Sequence, residues 1–155
     1  MPLPDGSDSL LARHAASLFE ENKALLTQLP GDHRDPAFSA LILPQAESTI
    51  EAIGHAMAFS AGVRKGLPKP ILDVYECAVI RRDPAWYSEN AGLTRQDQRV
   101  REDKAVTSAM PYLGKYLDDL DVEAYVSAPI VSDATWNKYY NGMTVFKGNA
   151  SSPVH

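Results

Sequence analysis

The stretch from Ile71 to Leu93 reads ILDVYECAVIRRDPAWYSENAGL, and the proline inside it restricts what the chain around it can become. Ahead of that proline, Ile71, Leu72, Tyr75, Ala78 and Val79 recur at steps of one, three and four residues. At about 100° per residue this places them on one face of a helix. Asp73, Glu76, Arg81 and Arg82 are left on the other side. The helix must end by Asp83, because the residue before a proline is pushed out of the α region and the ring clashes with the preceding turn. Trp86 and Tyr87 then carry large apolar area with polar edges, suited to sealing the end of a helical bundle.

The same period runs through the rest of the chain. Leu11, Ala15, Leu18, Asn22, Leu25 and Leu29 mark a helix with one buried face, capped by Ser7 or Asp8 and ended by Pro30 and Gly31. Ala37 to Leu43 forms an extra turn or a short separate helix, and Pro44 fits a first helical position. Ala46, Ile50, Ile53, Met57 and Ala61 are the expected buried stripe of the next helix. Its many small residues, from Ala52 through Gly62, predict a place inside the bundle. Thr94 with Asp97 resembles a capping box. It opens a long helix whose buried side is expected at Val100, Val106, Ala109, Met110, Leu113, Leu117 and Leu120, with Arg95 to Lys104 solvated and a bend at Pro111. An extended tail through Pro129 leads to a short helix capped by Ser132 or Asp133 and carrying Trp136, Tyr139 and Tyr140. The pattern offers no strand pair and no repeat. It predicts an all-α, up-and-down four-helix bundle with an extended C-terminal tail and a short terminal helix. A single domain covers 1–155, with the bundle over 8–145 and loose ends at 1–7 and 147–155.

The chain has 155 residues, a formal charge of −5 and one cysteine, Cys77, so no internal disulfide is available. It has neither an apolar signal core nor an apolar run of membrane-spanning length, and it reads as an intracellular soluble protein. Interspersed charge without a basic stripe argues against a nucleic-acid partner. Cys77 and His55 are a conceivable nucleophile and base, weighed against a buried structural thiol, which is the favoured reading. His14, His33 and His155 share no ligand spacing with them. Asp118, Asp119, Asp121 and Glu123 read as a solvated helix end, since the glycine and alternating ligands of a calcium loop are missing. Arg64, Lys65 and Lys69 form a cationic turn, which the dipole of a helix C-terminus explains as well as a phosphate ligand does. The residues assign no catalytic and no metal-binding side chain.

Taken in order, AESTIEAIGHAMAFSAG, LDVYECAVI, SENAGL, QRVREDKAVTSAMPYLGKYLDDLDV and YVSAPIVSDATWNKYY resemble the last, all-helical domain of the peroxisomal acyl-CoA oxidase family. The Asn90, Ala91, Gly92 turn and Asp121 with Val122 match the family's pattern, and the order and spacing of the segments carry the likeness, which covers roughly Leu10 to Tyr140. The resemblance implies the C-terminal domain, fragment or split partner of a flavin enzyme. The complete enzyme binds FAD and converts a fatty acyl-CoA to the trans-2-enoyl-CoA with release of hydrogen peroxide. It implies packing and dimerisation for this portion, in a homo- or hetero-oligomer with upstream flavin-binding domains. The family's glutamate base has no counterpart here, so the resemblance assigns no catalytic residue, and neither Glu76 nor Glu89 takes that part. Two features depart from the family: the chain ends in SSPVH where a Ser-Lys-Leu type peroxisomal signal is usual, and Ile130 to Asp133 replace a Gly-rich stretch. The alternative is a free-standing helical interaction module without chemistry.

Overall fold

Prolines and side-chain caps set the boundaries of nearly every element. The computed structural model describes residues 9–29, 31, 33–122, 125–126, 128–130, 132–145 and 148. Among them every regular element is helical, in the order α1 (Leu10–Gln28), α2 (Pro36–Leu41), α3 (Leu43–Arg64), α4 (Lys69–Ile80), α5 (Pro84–Asn90), α6 (Arg95–Ala109), a 3-10 turn (Met110–Tyr112), α7 (Leu113–Asp119) and α8 (Asp133–Gly142). The predicted all-α class is what the structure shows. Ser9 caps α1 by accepting from the Ala12 amide, while the cap expected at Ser7 or Asp8 lies outside the described residues. Asp35 and Asp83 cap α2 and α5 ahead of Pro36 and Pro84. Thr94 and Asp97 form the expected capping box of α6, and of the two caps expected for α8 it is Ser132 that serves, in a box with Thr135.

Two compact units divide the chain, one up to Pro111 and one from Tyr112. In the first, α1 lies along α3, α4 along α6, and α3 and α4 meet. Leu11, Ala12 and Ala15 of α1, Ala52 and Ala56 of α3, Val79 and Ile80 of α4, and Trp86 and Tyr87 of α5 make the core. The aromatic pair is buried as expected, yet within a helix of its own. The turn after α3 depends on Gly66 at φ 70, whose left-handed backbone lets the Gly66 and Leu67 amides reach the Val63 and Gly62 carbonyls. In the second unit Lys115 pairs with Asp119 on α7, and Trp136, Tyr139 and Tyr140 of α8 are exposed. The loose ends expected at 1–7 and 147–155 fall outside the described residues, Gly148 excepted.

Three expected faces differ from those observed. On α3 the buried residues are Thr49, Ala52, Ala56, Ser60 and Gly62, whereas Ile50 is 69% exposed and Met57 43%. Small side chains against Ala12 and Ala15 let the two backbones come close, with Ile53 and Phe59 packed partly against the core and Ile50 and Met57 left outside. On α4, Glu76 is buried instead of solvated and Ala78 is exposed. On α6 only Ala105 is buried, and Val100 and Val106 face outward. The charged run that was expected to be solvated supplies this helix's contact with α4, through Arg101 to Glu76 and Glu102 to Arg81 at 2.8 Å. Beyond it Met110, Leu113, Leu117 and Leu120 are exposed, and at Pro111 the helix tightens into a 3-10 turn.

Candidate functional site

The apolar stripe of α1 includes a histidine. His14 sits three residues after Leu11 and four before Leu18, so helical period carries it into the core, where it is 6% exposed. Its Nε2 lies 3.1 Å from Oδ2 of Asp83. The other oxygen of Asp83 accepts from the Trp86 amide, so one carboxylate both caps α5 and ties it to α1. The imidazole packs against the rings of both Trp86 and Tyr87, at centroid distances of 4.7 and 5.0 Å, and those two rings meet edge to face at 5.1 Å. Trp86 Nε1 donates to Ser17 Oγ, a second tie between the same helices.

Beside this corner opens a cavity of about 380 Å³ with Leu18, Ala52 and Val79 as apolar walls and Ser48, Glu51, His55, Arg82 and Asp83 as polar ones. Its charged groups are already engaged: Arg82 donates to both Glu51 oxygens at 2.8 and 2.9 Å, and Asp83 holds His14. Among the described residues no hydroxyl or thiol is hydrogen-bonded to His14, whose buried Nδ1 has no partner there.

The Cys77 and His55 pairing weighed from the sequence does not form. Tyr75 and Val79, four residues apart, face α3, and His55 Nδ1 meets the Tyr75 hydroxyl at 3.1 Å. Cys77 stands two residues from each, on the side of α4 turned to α6. It is buried, and burial raises its pKa, opposed by the nearby Arg101 guanidinium. A thiol held in its neutral form is a poor nucleophile. Burial likewise raises the pKa of Tyr75 and, far more strongly, that of Tyr87.

The α6 side of Cys77 carries a second cavity, of about 490 Å³, lined by Arg81, Arg95, Arg99 and Arg101 with Gln98, Glu102, Ile80 and Pro84. Glu102 and Glu76 engage Arg81 and Arg101. Arg95 and Arg99 show no acidic partner among the described residues, which leaves this lining net positive. Lys69 of the cationic turn pairs with Asp73, and no group of acids, histidines or cysteines among the described residues could hold a metal ion. Of the acidic cluster, Glu123 lies outside the described residues.

The outer face of α3 is uncovered in the first unit. Gly54 stands two residues from both Ala52 and Ala56, about 200° round the helix from either. Around it Leu43, Ile50, Met57 and Ala58 are exposed. The sequence had marked Ile50 and Met57 for a buried stripe, and the structure shows both exposed. The His14 corner was missed because nothing in the pattern says that residues 69 apart meet.

No protein family model, curated protein or solved structure matches the chain.

Proposed function

We propose that this chain is a non-catalytic helical association module. It serves as the packing and dimerisation portion, whether C-terminal domain, fragment or split partner, of a flavin-dependent acyl-CoA oxidase-like enzyme. One observation carries the reading: α3 buries small residues and turns Leu43, Ile50 and Met57 outward, so these three larger apolar side chains have no cover in the first unit. Contiguous apolar exposure of that kind marks an interface. The resemblance of the helix order and of the Asn90–Ala91–Gly92 turn supports the identity of the partner, the upstream flavin-binding body. It also supports an up-and-down four-helix bundle built from α1, α3, α4 and α6, and a peroxisomal site of action.

The FAD of such an enzyme does not fit the described residues of this chain. The acids and bases round the His14 cavity are bonded to one another, and no glycine-rich loop offers backbone amides to a pyrophosphate. The cofactor belongs to the partner body, and the complete enzyme's oxidation of a fatty acyl-CoA takes place there. The purified chain is expected to be colourless and to form no peroxide from acyl-CoA and oxygen. Sedimentation at micromolar concentration should show a dimer, or a hetero-complex when the flavin-binding body is supplied. A chain that stays monomeric and ignores that body would overturn the proposal. Stoichiometric bound flavin on the chain alone would overturn its non-catalytic part. The free-standing interaction module is favoured by the same exposed face, and is the reading left if the chain dimerises but does not bind the flavin body.

A further inference from the structure

The outer face of α3 has a charge order that selects its own copy. Between Glu47 and Arg64 this face is Ile50, Gly54, Met57, Ala58 and Ala61; its one charged neighbour, Glu51, lies at the edge opposite Met57 and is held by Arg82. The acid is at the N-terminal end, and Arg64 and Lys65 are at the C-terminal end. Two such faces laid antiparallel about Gly54 put Glu47 of each copy opposite Ala61 of the other, about one turn from Arg64 and Lys65. Laid parallel, they would set like charge against like.

Gly54 supplies the second observation. A glycine in a helix interior costs about 0.5–1 kcal/mol relative to alanine. Gly62 has a reason within the chain, because a Cβ there would lie 2.9 Å from a Leu72 methyl and 3.1 Å from a Leu67 methyl. Gly54 has none: a Cβ there would meet nothing within 4 Å. Its small size leaves room for something arriving from outside. A two-fold axis at Gly54 brings the two glycines together and sets Ile50 of each copy against Ala58 of the other, large against small. Small residues at the crossing let helix axes approach to the near end of the usual 8–10 Å spacing.

We infer that a second copy of this chain docks on α3, antiparallel, with the two-fold axis at Gly54. This rests on the association reading above and specifies its surface and partner. The 22 residues of α3 extend over about 33 Å. One helix pair of that length is a small interface by the standard of stable complexes.

The test uses the full-length chain with Gly54→Cys, a substitution the open space tolerates, while the natural cysteine is buried. Mild oxidation should give a covalent dimer through residue 54 in high yield, and a Gln45→Cys variant should not. Sedimentation should show Glu47→Lys weakening the dimer by about tenfold and Glu47→Lys with Arg64→Glu and Lys65→Glu restoring it. Gly54→Glu should abolish it, with circular dichroism confirming the helical fold. A dimer that forms but gives no cross-link at residue 54, or one weakened further by the triple charge reversal, overturns the inference and leaves the association reading standing. A monomeric chain that binds the flavin body does the same. A monomeric chain that binds neither itself nor that body overturns both.

Discussion

Tyr87 is fully buried, and its hydroxyl has no hydrogen-bond partner among the described residues. Burial first, and the Glu76 and Asp83 carboxylates after it, hold the phenol protonated far above its ordinary range. Cys77 is shifted the same way. In the unfolded chain these groups ionise near about pH 10 and 8.5. The folded state retains its protons where the unfolded state has lost them, so stability is complete below pH 8.5 and falls as pH rises beyond it. Urea unfolding followed from pH 7 to 10.5 should show that fall. Tyr87→Phe should reduce it and leave stability at pH 7 within about 1 kcal/mol of the parent, because the lost hydroxyl had no bond to lose. A large loss at pH 7 would show that the hydroxyl is bonded after all. Glu76 poses the opposite case, since its buried carboxylate depends on Arg101, itself 40% exposed along its side chain. Arg101→Ala should cost about 1–3 kcal/mol, discounted for that exposure. Glu76→Gln should cost less, and equal costs in chemical denaturation would mean the ion pair is incidental.

The ends of helices are written locally and their faces are not. Pro36, Pro44 and Pro84, the Thr94–Asp97 box and the Ser132 cap all depend on residues within a few positions of one another, so the sequence displays them. Which face of α3 is buried depends on how close α1 can come, and Ala12 and Ala15 decide that from nearly 40 residues away. The α4–α6 contact was read as solvent because it is made of charges, and the pairing of Glu76 with Arg101 has no signature in either helix alone. Helix α6 also keeps a conflict at its start. Arg95 stands at the first helical position, where the positive end of the helix dipole disfavours it, and Arg99 lies one turn on. Arg95→Glu should therefore stabilise the chain by about 0.3–1 kcal/mol in low salt, with most of the gain lost at 1 M salt. A loss of stability would show that Arg95 has an acidic partner in solution.

For the molecule as a whole, an association that shelters α3 makes stability depend on concentration. The melting temperature should rise across a hundredfold increase in chain concentration, as any equilibrium that binds only the folded form requires. The rise should vanish in Gly54→Glu. A melting temperature independent of concentration from about 1 to 100 μM would contradict association in that range.

The bond between His14 and Asp83 joins residues 69 apart, and Arg13 reaches the Asn90 carbonyl across 77. By contrast α4, α5 and α6 follow one another through short turns and close on themselves locally. Loop closure over so long a span slows the arrival of α1, so the order of events in folding should run from the α4–α6 hairpin to the docking of α1. Stopped-flow kinetics would read this directly. Ala15→Gly should leave the refolding rate nearly unchanged and quicken unfolding, whereas Ile80→Val should slow refolding. The histidine that fastens the core is on this account a latch that shuts after the barrier has been crossed, and it governs how long the folded chain lasts more than how fast it forms.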